Sequence, residues 1–269
     1  MIPIPPPPDT SGGIADRMEE RRRGPGGLPA VTWGAIEALG LFILGDLAIG
    51  QVLVAGLVLA AMGVQQQQIT QGLPSIVATV SADLAFLVVM VGWSRWRAPD
   101  ARARIGVRFG RVGAIDAAKG FGAGLVLYGV VALVIGAPLL WVFRQIFGQQ
   151  VQQPQQIATD ISAGAKALAV FTAVIVAPVT EELFFRGILY RGIRDRHGVA
   201  LGVIGSAVVF GAVHAPADAW CNVLFLQTLM CFTGAGLALI YERRANLVAS
   251  VAAHMAFNVI GVIAIFHGY

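Results

Sequence analysis

Seven apolar runs, separated by short polar stretches, set the rhythm of the chain. They cover Trp33–Met62, Ile76–Trp93, Ala117–Val142, Leu168–Tyr190, Val199–His214, Val223–Tyr241 and Leu247–Phe266. Each is near the ~20 residues that a helix needs to cross a bilayer. The fifth is short, and the first is long enough to tilt or to extend past the lipid. Hydrocarbon offers no partner to a bare backbone N–H or C=O, and the runs are far too long for barrel strands, so each is expected to be helical. The expected fold is all-α: a polytopic membrane helix bundle of about seven transmembrane helices.

Composition agrees. The 269 residues are 57% hydrophobic and only 13% charged, with a mean hydropathy of +0.73. A soluble domain carries roughly 25% charged residues, so this chain lacks the charge to cover itself in water, and the lipid bilayer is its expected surroundings. Residues 1–32 read differently: proline and charge stand where a signal peptide would need an apolar core. They are expected to form a disordered, Pro-rich and charged tail, with a membrane domain over 33–269.

A net charge of +4 could suggest nucleic acid, but the placement of the charges points to membrane topology and to no nucleic-acid partner. Of the 19 Lys and Arg, all but Arg144 and Lys166 fall in the tail and in the second-to-third, fourth-to-fifth and sixth-to-seventh connections. Those regions share one side of the membrane. The positive-inside rule makes that side cytoplasmic, with the N-terminus inside and the C-terminus outside. The Gln-rich stretches Gln65–Gln68 and Gln149–Gln156 are expected to be solvated loops on the outer side. Cys221 and Cys231 are ten residues apart in one run, roughly 15 Å along a helix. A disulfide needs Cα atoms within about 7 Å, so they read as small core residues.

Charge at membrane depth costs roughly 2.5–3.5 kcal/mol on insertion scales and marks function or a specific pair. The candidates are Glu37, Asp46, Asp83, Glu181, Glu182, Arg186, His214 and His254, with Asn258 polar at similar depth. Glu37 is near enough to a helix end to be interfacial. Asp46 and Asp83 could pair with other helices or line a water path. His197 lies in a basic turn and His267 at the terminus; both read as solvated.

The densest set lies in the fourth run. Adjacent side chains point about 100° apart on a helix, so Glu181 and Glu182 are expected to differ in role. Glu182 and Arg186 have the spacing and order of a helical ion pair. Glu181 is left without a near partner in the sequence, which suits a general base. His254 and Asn258 share a helical face and can donate together to an oxyanion. Glu181 with His214 as water activators, and His254 with Asn258 as an oxyanion site, make up the parts needed for amide hydrolysis.

Glu181-Glu182-x-x-x-Arg186, Phe210-x-x-x-His214 and His254-x-x-x-Asn258, in this order on separate runs, resemble the CPBP family. Its members are the CAAX prenyl endopeptidases and the bacteriocin-processing, Abi-type membrane proteins. The resemblance covers roughly 164–266. It implies an intramembrane endopeptidase acting on a membrane-associated protein or peptide, with Glu181 and His214 activating water, His254 and Asn258 holding the oxyanion, and Glu182 and Arg186 in support.

A zinc ion held by Glu181, His214 and His254 is an alternative, since catalytic zinc takes three protein ligands. No H-E-x-x-H pairing presents two histidines from one helix, and the expectation is no cofactor. A non-catalytic immunity or scaffold protein and an ion-coupled transporter are the competing functions. A transporter should show inverted repeats, and none is visible. One tension concerns depth: His214 ends a short run and should lie further out than Glu181 and His254, unless that run starts deep or a kink at Pro178 displaces the fourth helix.

Overall fold

The structure is a computed structural model and describes residues 24–64, 72–153, 161–216 and 218–267. The apolar runs are helical, and no strand occurs among the described residues. The helices are α1 (Ala35–Ala61), α2 (Leu73–Arg97), the short α3 (Ala101–Arg104), α4 (Gly110–Phe147), α5 (Ala163–His197), α6 (Val199–Val213), α7 (Trp220–Arg244) and α8 (Leu247–His267). The polytopic helix bundle is as expected, with one adjustment. Six helices, all but α3 and α6, are long and apolar enough to cross a membrane. The 15 residues of α6 reach only ~22 Å, short of the ~30 Å hydrocarbon core.

Outward-facing positions are apolar. Ile36, Val52, Val88, Leu133 and Trp141 are each more than three-fifths exposed on the bundle surface, a surface suited to lipid rather than water. With lipid outside, burial of apolar area does not drive these helices together; close packing and interhelical hydrogen bonds must do so. The tightest pairing is that of α4 with α8. A Cβ built on Gly120 or Gly124 would stand 2.1 Å from the carbonyl oxygen of Ala249 or Ala253 respectively. Glycine at both positions therefore lets the two backbones meet. The middle of the bundle is a chain of aromatic rings: Phe42 and Phe86 on Phe184, Phe184 on Phe185 and Phe185 on Phe210, with centroids 4.9–5.5 Å apart. It ties α1, α2, α5 and α6 together and leads to the candidate site.

Two prolines sit inside long helices without ending them. Pro178 follows the π-helical stretch Thr172–Val176, and Pro138 follows Val130–Gly136. A proline removes one i→i−4 hydrogen bond and crowds the preceding turn, and a wider π turn makes room for it. A second π-helical stretch, Leu183–Tyr190, follows Glu182, so the helical turn Ala177–Glu182 is bracketed by π turns on both sides.

The chain reverses between α5 and α6 at Gly198, where φ is +89°, a conformation open to glycine. Glu181 and His214 are nearly equidistant in sequence from this turn. An antiparallel pair of helices that begins beyond the apolar part of α5 thus returns His214 to the level of Glu181, and the tension in depth is resolved by where α6 starts.

The start of α8 is held by a polar knot. Asp116 of α4 is buried, accepting from Arg244 and, at 3.0 Å, from the Asn246 amide. Most of the tail expected over 1–32 lies outside the described residues, but 24–32 is described and packed. Arg191 donates to the Pro29 carbonyl (2.7 Å), Arg104 to that of Ala30, and Val31 N–H donates to Asp195 (2.9 Å). Gln65–Gln68 falls outside the described residues, as does the end of Gln149–Gln156. Within the latter, Gln152 N–H donates to Asn222 (3.1 Å).

Candidate active site

Glu182 is fully buried at the centre of the bundle, and its carboxylate is saturated by donors from two helices. Arg186 Nη1 donates to Oε1 at 2.8 Å, His254 Nδ1 lies 2.9 Å from the same oxygen, and the Ser250 hydroxyl donates to Oε2. The i,i+4 pair read from the spacing is thus formed, with both side chains almost wholly buried. A second Arg186 nitrogen donates to the Gly234 carbonyl at 3.0 Å, and its guanidinium carbon stands 4.7 Å from the centre of the Phe210 ring. Buried charge needs partners of this kind to persist.

Glu181, one residue earlier, points elsewhere. Its side chain keeps 28% exposure, yet Oε2 is a buried atom with no hydrogen-bond partner among the described residues. The nearest cation candidate is His254 Nε2, at 3.9 Å, beyond hydrogen-bond range. Thr180 Oγ1 and Arg186 Nε are also buried without partners. Asp46 of α1 and Asp83 of α2 lie within Coulombic range of Glu181. The first two spans therefore bring carboxylates toward the site although they carry none of the motifs.

The two histidines are held in the same way. His214 Nδ1 lies 2.6 Å from the Phe210 carbonyl, which can only accept, so Nδ1 carries a proton and Nε2 has no hydrogen-bond partner among the described residues. His254 Nδ1 faces Glu182, again leaving Nε2 toward the site. The Phe210 ring touches both, with centroids 4.7 Å from His214 and 5.9 Å from His254. A ring hydrogen bond on one nitrogen sets what the other can do. No hydrogen bond joins Glu181 to His214 among the described residues.

Asn258 stands one turn beyond His254 on α8. One of its amide hydrogens is donated to the Ala173 carbonyl, at 2.7 Å, in the π-helical stretch before Pro178; the other has no partner among the described residues. The structure thus brings Glu181, Glu182, Arg186 and His254 together, sets His214 against them through Phe210, and uses Asn258 to tie α8 to α5. Ser250 was missed in the sequence. Its only signal was position: four residues before His254, it continues the face that carries His254 and Asn258.

Among the described residues, no three His, Cys, Asp or Glu side chains are grouped so as to hold a metal ion.

Comparison with known proteins falls on this same half of the chain. Residues 163–260 match the family model described as "Type II CAAX prenyl endopeptidase Rce1-like". A protein of Bacillus subtilis (strain 168) named "Putative membrane peptidase YdiL" is 30% identical over 116 residues, which make up 43% of this chain and 44% of that relative. The matched stretch is thus less than half of the relative's length. No solved structure matches.

Proposed function

We propose that the chain is an intramembrane endopeptidase of the CPBP kind that cuts a membrane-associated protein or peptide inside the bundle, a reading supported by the match of residues 163–260 to the Rce1-like family model and by the similarity to the relative named "Putative membrane peptidase YdiL". The observation that carries the proposal is the contrast between two adjacent carboxylates. Glu182 is saturated by Arg186, Ser250 and His254, while Glu181 keeps a buried oxygen with no partner among the described residues.

Glu181 takes a proton from water as the water oxygen attacks the scissile carbonyl. His214 orients that water through Nε2, an acceptor while Nδ1 donates to Phe210. The carbonyl oxygen becomes an oxyanion, stabilised by the second Asn258 N–H and by His254 Nε2. His254 donates from Nε2 only when its ring carries both protons, because Nδ1 is engaged with Glu182; since Glu182 is already paired with Arg186, the oxyanion is the charge that balances the ring. Collapse of the tetrahedral intermediate breaks the C–N bond. The proton held by Glu181 passes to the leaving nitrogen, and the carboxylate is restored. Glu182 and Arg186 act by holding His254.

The reading extends to placement. The arginine asymmetry sets the N-terminus in the cytoplasm and the C-terminus outside, in the plasma or inner membrane. The test is a comparison of membrane-protein termini across the proteome in cells carrying the wild type or Glu181→Ala. New termini present only with the wild type are expected; identical sets would refute the proposal. Zinc analysis of active protein, with chelation, tests the cofactor expectation separately. Stoichiometric zinc lost together with activity would refute the metal-free step and spare the peptidase reading.

A further inference from the structure

Residues 98–109 join the end of α2 to the start of α4, so they lie where both helices leave the bilayer. Trp96, Phe109 and Val112 on this edge are 80%, 65% and 54% exposed. An exposed tryptophan at a helix end, such as Trp96, belongs to the lipid headgroup layer. Between this connection and the packed segment before α1 lies a cavity of about 470 Å³, lined by Leu28, Val107, Gly106, Asp100, Arg102 and Arg108 among others.

Its charges do not cancel. Asp100 accepts from Arg104 at 2.7 Å, so that pair is neutral. The guanidinium of Arg102 lies 5.0 Å from the Phe109 ring centre and has no hydrogen bond or ion pair among the described residues. Arg108 uses one nitrogen, Nη2, for the carbonyls of Arg244 (3.0 Å) and Ala245 (2.8 Å); its other side-chain N–H groups have no partner among the described residues. Two cations with spare donors therefore stand over an apolar wall formed by Leu28 and Val107, at headgroup depth. An ordinary arginine-rich loop in water would have the charge but neither the apolar wall nor the fixed depth.

We propose that this cavity binds the phosphodiester headgroup of an anionic membrane lipid. Arg102 and Arg108 hold the phosphate oxygens with their planar N–H forks. Leu28 and Val107 meet the glycerol and the first acyl carbons. The site is coupled to α8 through Arg108. This residue holds the carbonyls of Arg244 and Ala245, and its backbone N–H donates to Asn246 at 3.3 Å. That turn starts the helix carrying Ser250, His254 and Asn258, so a lipid held by Arg108 stabilises the start of α8. The inference does not depend on the peptidase reading.

The test uses the purified full chain in neutral detergent. Thermal unfolding is followed against short-chain phosphatidylglycerol, phosphatidylcholine with the same acyl chains, and inorganic phosphate. Phosphatidylglycerol is expected to raise the midpoint at roughly tenfold lower concentration than phosphatidylcholine, with no effect of phosphate alone. Arg102→Gln, which breaks no hydrogen bond within the described chain, is expected to abolish the preference. Arg111→Gln, exposed on the same edge but outside the cavity lining, is expected to keep it. An unchanged preference in Arg102→Gln, or an equal loss in Arg111→Gln, would overturn the proposal. A phosphate effect equal to that of the lipid would also overturn it, by making the cavity a free-anion site.

Discussion

Replacing Arg186 by methionine removes a charge with almost no access to solvent and leaves Glu182 facing only Ser250 and His254. The structure sets the size of the effect. The lost contacts are a 2.8 Å bond to a fully buried carboxylate and a 3.0 Å bond to the Gly234 carbonyl. Breaking a buried ion pair from one side costs about 3–5 kcal/mol, and that cost falls mainly on the stranded carboxylate. Glu182→Gln strands the arginine instead and should cost a comparable amount. The double variant strands neither charge, so its loss should fall short of the sum by about 2–3 kcal/mol, the upper range for contacting residues. The assay is equilibrium unfolding of all four proteins in one bilayer mimic, with the cycle closed on wild type. Additive losses would overturn the ion-pair reading, because each charge would then have partners that do not depend on the other.

Gly124→Leu places a side chain where a Cβ alone would be 2.1 Å from the Ala253 carbonyl, whereas Gly122 has nothing within 4 Å. Gly124→Leu should therefore lose most of its monodisperse peak in size-exclusion chromatography, and Gly122→Leu should keep it. Ser250→Ala removes one of the donors to Glu182 and should lower stability by about 1–3 kcal/mol, the cost of an unsatisfied buried acceptor, measured in the same unfolding assay. Cysteines engineered singly between 98 and 109 should resist a membrane-impermeant reagent applied to intact cells and react only after permeabilisation; labelling from outside would overturn the topology.

The fold was legible because lipid makes the pattern simple: a long apolar run must be a helix, and all seven runs are. The ends were less legible. Arg191–His197 continues α5, and Gly110–Asp116 begins α4, although both stretches carry charged side chains. Outside the hydrocarbon, polar side chains do not end a helix, so the hydropathy edge understates its length. That extension of α5 is also why His214 lies at the level of Glu181. The packing of 24–32 was hidden because it rests on backbone carbonyls that receive Arg191 and Arg104, and every sequence has carbonyls. Asp116, buried against Arg244 and Asn246, was passed over because it lay just before an apolar run. At the site, the ion pair of Glu182 with Arg186 and the separate direction of Glu181 followed from helical geometry alone. Ser250 and the approach of Asp46 and Asp83 did not, since contacts between helices depend on how the helices are rotated against one another.

Cleavage should depend on a single carboxylate. Glu181→Gln keeps the size and hydrogen-bonding reach of the side chain but cannot take a proton from water. Wild type and variant, reconstituted in liposomes, should be compared by mass spectrometry on a substrate identified from the proteome comparison. The Glu181→Gln variant is expected to unfold at the wild-type midpoint and to yield no cleaved product, with Asn258→Ala slowed by ~10²–10³-fold, the usual loss for one oxyanion donor. A Glu181→Gln protein that cleaves at the wild-type rate would contradict the mechanism.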